Sequence, residues 1–581
     1  MKKYYTDERG PQIIMALLKA FGIRKVVASP GTTNLSLVAS MQQDPFFEMY
    51  SSVDERSAAY MACGMASESG EPVVITCTGA TASRNYMPGL TEAFYRKLPV
   101  IALTANQGVK NIGHLVAQNI DRRRTPNDIV KMSVEIPVVT TDEDAWLCNV
   151  NVNRALLELT HGGGGPVLIN YTTTYSRNFG VRELPNVRVV NRIMQADKFP
   201  DLTGKEKVAI FIGSHRNFTE EETLSIDRFC ELHDAVCFCD HTSGYYGKYK
   251  VQQALICAQN VHNPIREVDL LIHLGEISGD YYGLAIHPKE IWRVAEDGEV
   301  KDFFRQLRYV FEMPVKEFFS HYETGETLPS SYLATCMDEY RRIYNLIPDL
   351  PFGNIWIAQQ MAGKLPMGSR LHLGILNTLR SWNFFRLPDS VESSCNVGGF
   401  GIDGIMSTLL GASLAAPEKI FFGILGDLAF FYDLNSIANR HVGKNLRIML
   451  INNGRGTEFT NYGHPGHAFG EDAEPFIAAA GHYGDKSPRL VRHYAEDLGF
   501  KYLTASNKKD FFDVYQQFIT DEPQSHPILF EVFTDPKDES DAIEIMLNLE
   551  CEPKPVKQIV KDAIVGIVGE DTIMRVRNIL K

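Results

Sequence analysis

Gly426-Asp427-Leu428-Ala429-Phe430-Phe431-Tyr432-Asp433-Leu434-Asn435, followed by Ile448-Met449-Leu450-Ile451-Asn452-Asn453-Gly454, decides how this chain is read. The stretch reads as a strand ending in Gly-Asp, a helix, a second apolar strand and a paired Asn. Such a βαβ unit puts the Asp and the Asn at neighbouring strand ends, on the carboxyl edge of a parallel sheet. The Asp427 carboxylate, the Asn453 side-chain carbonyl and the Arg455 backbone carbonyl make a set of hard oxygens. Magnesium, calcium or manganese accepts such a set when phosphate oxygens complete the shell. The tight turn at Gly426 and the N–H groups of Leu428 and Ala429 suit a diphosphate. A plain buried βαβ unit is the alternative reading.

A second segment has the same layout. Ser29-Pro30-Gly31-Thr32-Thr33 follows the apolar run Val26-Val27-Ala28 and reads as a strand-to-helix turn. Ser52 to Ala66 carries small and apolar residues at three- and four-residue spacing, which predicts a helix with one buried stripe. Glu55 stands at its start. A carboxylate there is favoured by the helix dipole whatever else it does. Cys77-Thr78-Gly79-Ala80-Thr81 and Asn85-Tyr86 follow as another turn and helix.

Length and composition bound the answer. A chain of 581 residues exceeds one core and predicts three or four domains. Hydrophobic content of 44% with charged content of 22% is that of a soluble globular protein. A net charge of −13 argues against nucleic acid as a partner. No apolar run approaches the roughly 20 residues of a membrane span. The start, Met1-Lys2-Lys3-Tyr4-Tyr5-Thr6-Asp7-Glu8, lacks a signal-peptide core. The ten cysteines include no Cys-x-x-Cys pair, and Cys237 and Cys239 read as buried strand residues. A cytoplasmic protein with free thiols is expected.

Strand-like runs alternate with helical segments through three α/β units, which predicts doubly wound parallel sheets. The expected boundaries are 1–180, 181–347, 348–540 and a helical extension over 541–581. Residues 176–205 lack periodicity and read as a linker. In the middle unit, Gly213 and Gly275 end strands. That is a weak nucleotide-site signal, and a domain without a ligand is the preferred reading.

These segments together resemble the thiamine-diphosphate enzymes. Gly-Asp followed by Asn-Asn resembles their diphosphate-binding signature, and the Ser29 to Tyr86 region resembles their pyrimidine-binding domain. Within that family the likeness is to the 2-succinyl-5-enolpyruvyl-6-hydroxy-3-cyclohexene-1-carboxylate synthases of menaquinone biosynthesis. It extends over nearly the whole chain. Its strongest points are Ser29-Pro30-Gly31, Asp54-Glu55-Arg56-Ser57-Ala58, Gly401-Ile402-Asp403-Gly404 and the stretch from Gly426 to Asn435. The resemblance implies a pyrimidine-binding domain, a central domain and a diphosphate-binding domain, with thiamine diphosphate and a divalent metal, usually Mg2+. It implies a homodimer or dimer of dimers in which the two cofactor-binding domains of one site come from different subunits.

The resemblance also assigns roles. Glu55 would bond the aminopyrimidine ring and favour the imino tautomer whose nitrogen takes the thiazolium C2 proton. Ile402 would fold the cofactor into the required shape. Pro30, Gly31, Thr78, Asn85 and Gly401 would line its site. Gln118 would stand beside the reacting carbon, although Arg122, Arg123 and Arg124 nearby read equally as a solvated face. Family arginines are replaced here by Thr33, after Thr32, and by Val397, while Arg380 matches another. Arg455, Thr457, Glu458, His464 and His467 lie in a polar stretch after the metal ligands and are candidates for substrate contacts. Glu458 is unusual, because the family carries an apolar residue there. A salt bridge from Glu458 to Arg455 is its alternative role.

The reaction this implies is decarboxylation of a 2-oxo acid and transfer of the acyl carbanion to a carbonyl or enone acceptor. That is a carboligase, a transferase or lyase in class. A simple 2-oxo acid decarboxylase, an authentic menaquinone-pathway synthase and a non-catalytic cofactor-binding subunit remain as alternatives. The expected partners are small molecules, with neither nucleic acid nor membrane.

Overall fold

The computed structural model describes residues 4–551. The expected helices beyond Pro553 therefore lie outside the described residues. The strands form three parallel sheets with helices between them, as the alternation of apolar runs predicts. By packing, the chain divides into two compact units. One runs through Pro200 and includes Glu290–Met313; the other comprises Asp201–Lys289 and the chain from Pro314 onward.

In the first unit, β1 (Lys25–Ala28), β2 (Glu48–Ser51), β3 (Val73–Cys77), β4 (Val100–Asn106), β5 (Met132–Ile136) and β6 (Val167–Thr172) lie in the order β2-β1-β3-β4-β6-β5. Neighbouring residues on one strand face opposite ways, so Val26 and Val27, or Val73 and Val74, enter different cores. One core gathers Ile13 and Leu17 of the helix Arg9–Ala20 with Cys148 and Val152 of Asp142–Leu157. The other gathers Ala58 and Ala62 of the helix Glu55–Ser69 with Leu90 and Ala93 of Met87–Tyr95. A sheet buried on both faces explains why its strands are continuously apolar rather than alternating. The expected linker contains one strand, β7 (Asn191–Ile193). Its three residues are too few to show a period.

The second unit holds β8 (Val208–Ile212), β9 (Val236–Cys239), β10 (Lys250–Val251) and β11 (Glu267–Leu274), parallel in the order β10-β9-β8-β11. Cys237 and Cys239 are buried strand residues, as their apolar setting predicts. Strands β12 (His287–Val294) and β13 (Leu307–Phe311) follow in the chain, and β13 pairs with β7 in parallel. The last sheet comprises β14 (Arg370–Leu373), β15 (Glu392–Cys395), β16 (Phe421–Gly426), β17 (Leu446–Asn452), β18 (Lys501–Ala505) and β19 (Ile528–Phe533). Its order is β15-β14-β16-β17-β19-β18, so β16 and β17 are parallel neighbours, with Gly426 beside Ile451.

Gly213 and Gly275 have a packing role that needs no nucleotide. A Cβ on Gly213 would stand 1.9 Å from the Glu276 backbone carbonyl, and one on Gly275 would stand 2.9 Å from that of Ser214. The ends of β8 and β11 approach too closely for a side chain. Backbone on the opposing side cannot yield as a flexible side chain would. Gly213→Ala is therefore expected to cost about 1–3 kcal/mol of stability, seen as a fall of several degrees in melting temperature. An unchanged melting curve would show that this corner repacks freely.

Candidate functional site

The first unit carries the candidate residues around the end of its central strands. β1 ends in the turn Ser29-Pro30-Gly31, and a helix starts at Leu35. Gly31 is exposed, and a Cβ there would meet the Thr78 Cγ2 at 1.8 Å. This turn therefore abuts the Thr78-Gly79 turn at the end of β3. A cavity of about 370 Å³ opens beside Ser29, Pro30, Gly31, Met49 and Tyr50. Asp54 caps the helix Glu55–Ser69 by accepting the Ser57 N–H at 2.9 Å, which leaves Glu55 as the first helical residue. Glu55 is half-buried, and Asn85 donates to its carboxylate at 3.4 Å. Cys77 lies beneath this corner, and burial pushes its thiol up to about 12. A reactive thiolate at this position is thereby disfavoured.

Two neighbours have other duties. Arg122 is buried and donates to the Thr104 hydroxyl at 2.7 Å, so it braces the end of β4 rather than facing solvent. Arg123 pairs with Asp121 at 2.8 Å. Gln118 is exposed, on a left-handed backbone with φ 59°. Thr33 is buried while Thr32 is exposed.

The second unit carries the candidate metal edge. Asp427 follows the last residue of β16 and Asn453 follows the last residue of β17, which places both at one sheet edge. Asp427 is 5% exposed. It accepts the N–H of Gly454 at 2.5 Å and that of Leu428 at 2.7 Å. The Leu428 N–H is thus turned toward Asp427 itself rather than left open for an anion. Burial dominates these hydrogen bonds and raises the Asp427 carboxyl to about 6. Gly454, with φ 84°, lets the chain turn so that its N–H reaches Asp427. Asn453 is buried; its Nδ2 lies 3.5 Å from the Thr457 hydroxyl, and its Oδ1 accepts the Arg455 N–H at 3.3 Å.

Two buried carboxylates beneath this edge escaped sequence reading. Glu531, on β19, accepts from Asn452 Nδ2 and from the Tyr502 hydroxyl, each at 2.7 Å. Glu539 accepts the Asn354 N–H at 3.0 Å and the Thr534 hydroxyl at 2.9 Å. Burial raises both, Glu539 to about 7, and the Asp427 charge pushes the same way. A lone Glu inside the apolar run Ile528–Phe533 was the available signal for Glu531.

This edge suits a divalent cation. It has one buried carboxylate, one buried amide and a backbone carbonyl, with the buried Glu531 and Glu539 carboxyls behind them. Among the described residues no cluster of three or more His, Cys, Asp or Glu could hold a metal. A cation at Asp427 would therefore take most of its oxygens from a ligand, as magnesium does with phosphates.

The polar stretch after Asn453 forms two ion pairs. Arg455 pairs with Glu474. Glu458 pairs with Arg380 at 2.5 Å, which corrects the expected bridge between Glu458 and Arg455. Sequence proximity favoured Arg455, whereas the helix Asn377–Asn383 brings Arg380 across the fold. His464 accepts the Gly466 N–H at 2.9 Å, capping the next turn, and exposed His467 bonds the Thr460 carbonyl at 3.1 Å. Gly401 and Ile402 are half-buried in the turn before the helix Ile405–Ala415. Val397 is buried against the space beside Gly279.

Comparison with known proteins agrees with this layout. Residues 8–125 match the model of the thiamine pyrophosphate enzyme N-terminal TPP binding domain. The chain is 31% identical to a 2-succinyl-5-enolpyruvyl-6-hydroxy-3-cyclohexene-1-carboxylate synthase of Phocaeicola vulgatus, covering 91% of this chain and 96% of the relative. The protein of the same name from Bacteroides thetaiotaomicron is 31% identical over the same shares. That from Flavobacterium psychrophilum is 26% identical over 90% of this chain and 96% of its own. With a matching N-terminal domain and relatives of this identity along nearly their full length, the chain belongs to the thiamine-pyrophosphate enzyme family that contains these synthases.

Proposed function

We propose that this chain uses thiamine diphosphate and a divalent metal to decarboxylate a 2-oxo acid and join the acyl unit to a carbonyl or enone acceptor. The observation that carries the proposal is the pairing of Asp427 and Asn453 at neighbouring strand ends over a buried acidic floor. When bound, the cofactor supplies the electron sink on which the bond to the departing carboxylate breaks. The chain's part is to bind, orient and exclude water. Asp427, Asn453 and the Arg455 carbonyl hold the metal; the turn at Gly426 and the N–H of Ala429 face the diphosphate. In the first unit, Glu55 would hydrogen-bond a ring nitrogen of the cofactor, with Asn85 fixing its carboxylate. Ile402 supports the cofactor's shape, and Gln118 lies on the loop nearest the Gly79 turn.

The relatives are named for a synthase, and joining two fragments is therefore preferred over simple decarboxylation. Substrate choice is a separate matter, set by side chains rather than fold. Thr33 and Val397 offer no charge to a carboxylate, and an acceptor other than isochorismate is proposed on that ground.

Three outcomes follow. Calorimetry with thiamine diphosphate is expected to give binding that requires Mg2+ and disappears in Asp427→Ala, because the hard-oxygen charge is gone; unchanged affinity in the variant or in chelator contradicts the metal assignment. Glu55→Gln is expected to fold normally but to slow C2 proton exchange of bound cofactor at least about tenfold, the low end of acid–base contributions. Unaltered exchange by NMR removes Glu55 from that role. Finally, a homodimer with shared sites is proposed. Glu55→Ala and Asp427→Ala chains, each inactive alone, are expected to regain part of the activity when co-expressed, and an active monomer in the ultracentrifuge would refute sharing.

A further inference from the structure

Arg380 occupies an unusual position in the second unit. It is 6% exposed, and its guanidinium lies 3.9 Å from the centre of the Tyr281 ring. Nη1 donates to Glu458 at 2.5 Å, while the buried Nε and Nη2 donors have no hydrogen-bond partner among the described residues. Nε and Nη2 form the edge with which arginine grips a planar acceptor. A buried fork left open is costly and indicates a ligand.

The pair is tied to the proposed metal edge. Asn377, one turn before Arg380, donates to the Thr457 hydroxyl at 2.9 Å, and Thr457 in turn lies 3.5 Å from Asn453 Nδ2. Leu376, just before that helix, has φ 70° and ψ −124°, a backbone that non-glycine residues adopt only when the surroundings impose it. Strain of this kind collects where a side chain must be held in one place for a ligand.

The charge of the pair decides what the open fork accepts. Glu458 already answers the single positive charge of Arg380. A second ligand carboxylate would meet donors whose charge is spent, with Glu458 beside it. A carboxamide or hydroxyl meets both needs: its oxygen accepts from the fork, and its N–H or O–H donates to Glu458.

We propose that the Arg380–Glu458 pair selects a 2-oxo acid whose far end is uncharged and both accepts and donates hydrogen bonds, in preference to a dicarboxylate. This rests on the function proposed above and names the substrate class of that site. Glu458 acts here as a specificity residue. In the reaction the bond between C1 and C2 breaks, C1 leaves as carbon dioxide, and its electron pair stays with C2 for bonding to the acceptor.

The test compares 2-oxoglutaramate with 2-oxoglutarate, which differ only in an amide for a carboxylate. Carbon dioxide release by the wild-type protein is expected to favour the amide by at least about tenfold in kcat/KM, the scale of one charge-assisted contact. Glu458→Gln keeps the size and removes the charge, and is expected to move the ratio at least about tenfold toward 2-oxoglutarate. Calorimetric affinities of the cofactor-loaded protein for succinamate and succinate are expected to rank the same way without any turnover. A wild-type preference for 2-oxoglutarate, or the same ratio in both proteins, overturns the inference. Failure of the underlying function has a different signature: no carbon dioxide from any 2-oxo acid, with the two tail analogues still ranked by calorimetry. Equal affinities for succinamate and succinate in that case overturn the specificity inference as well.

Discussion

A buried carboxylate at the end of a parallel strand is the constraint on which the rest of this structure depends. Asp427 is held by the N–H groups of Leu428 and Gly454, yet burial still raises it to about 6. Backbone dipoles alone do not compensate its charge. The adjacent Glu531 and Glu539 make the deficit larger. In the function proposed above, a divalent cation carrying a diphosphate would resolve it, and that arrangement would account for both the Asn at the neighbouring strand end and the glycine turns on either side.

The same logic, with opposite sign, runs through Arg380. Its buried charge is matched by Glu458, its face is covered by Tyr281, and its remaining edge is open. One site thus contains a carboxylate in need of a cation and a cation already neutralised by a carboxylate. In the proposed reading the first would hold the cofactor shared by the family. The second is proposed for the substrate side, where members of one fold diverge.

The α/β class and the strands were legible because buried parallel strands are long apolar runs bounded by Gly, Pro and Ser. The βαβ unit around Asp427 was legible because β16 and β17 are largely apolar stretches of six and seven residues with punctuation at both ends. Strand β7 was not, having only three residues. The partner of Glu458 was missed because Arg455 is near in sequence, whereas Arg380 is near only after the helix Asn377–Asn383 packs beside the Thr457 turn. That Arg122 alone of the three neighbouring arginines faces inward was not legible, because a triplet of arginines gives no sign of which one does. Charged groups find partners through tertiary geometry, and periodicity carries no record of it.

The central claim is that Asp427 and a diphosphate share one metal ion. Electron–nuclear double resonance on Mn2+, added to the protein together with thiamine diphosphate, tests it most directly. Phosphorus couplings to the bound Mn2+, lost in Asp427→Asn, are the predicted result. Mn2+ bound without phosphorus coupling, or couplings unchanged by the substitution, would contradict the account.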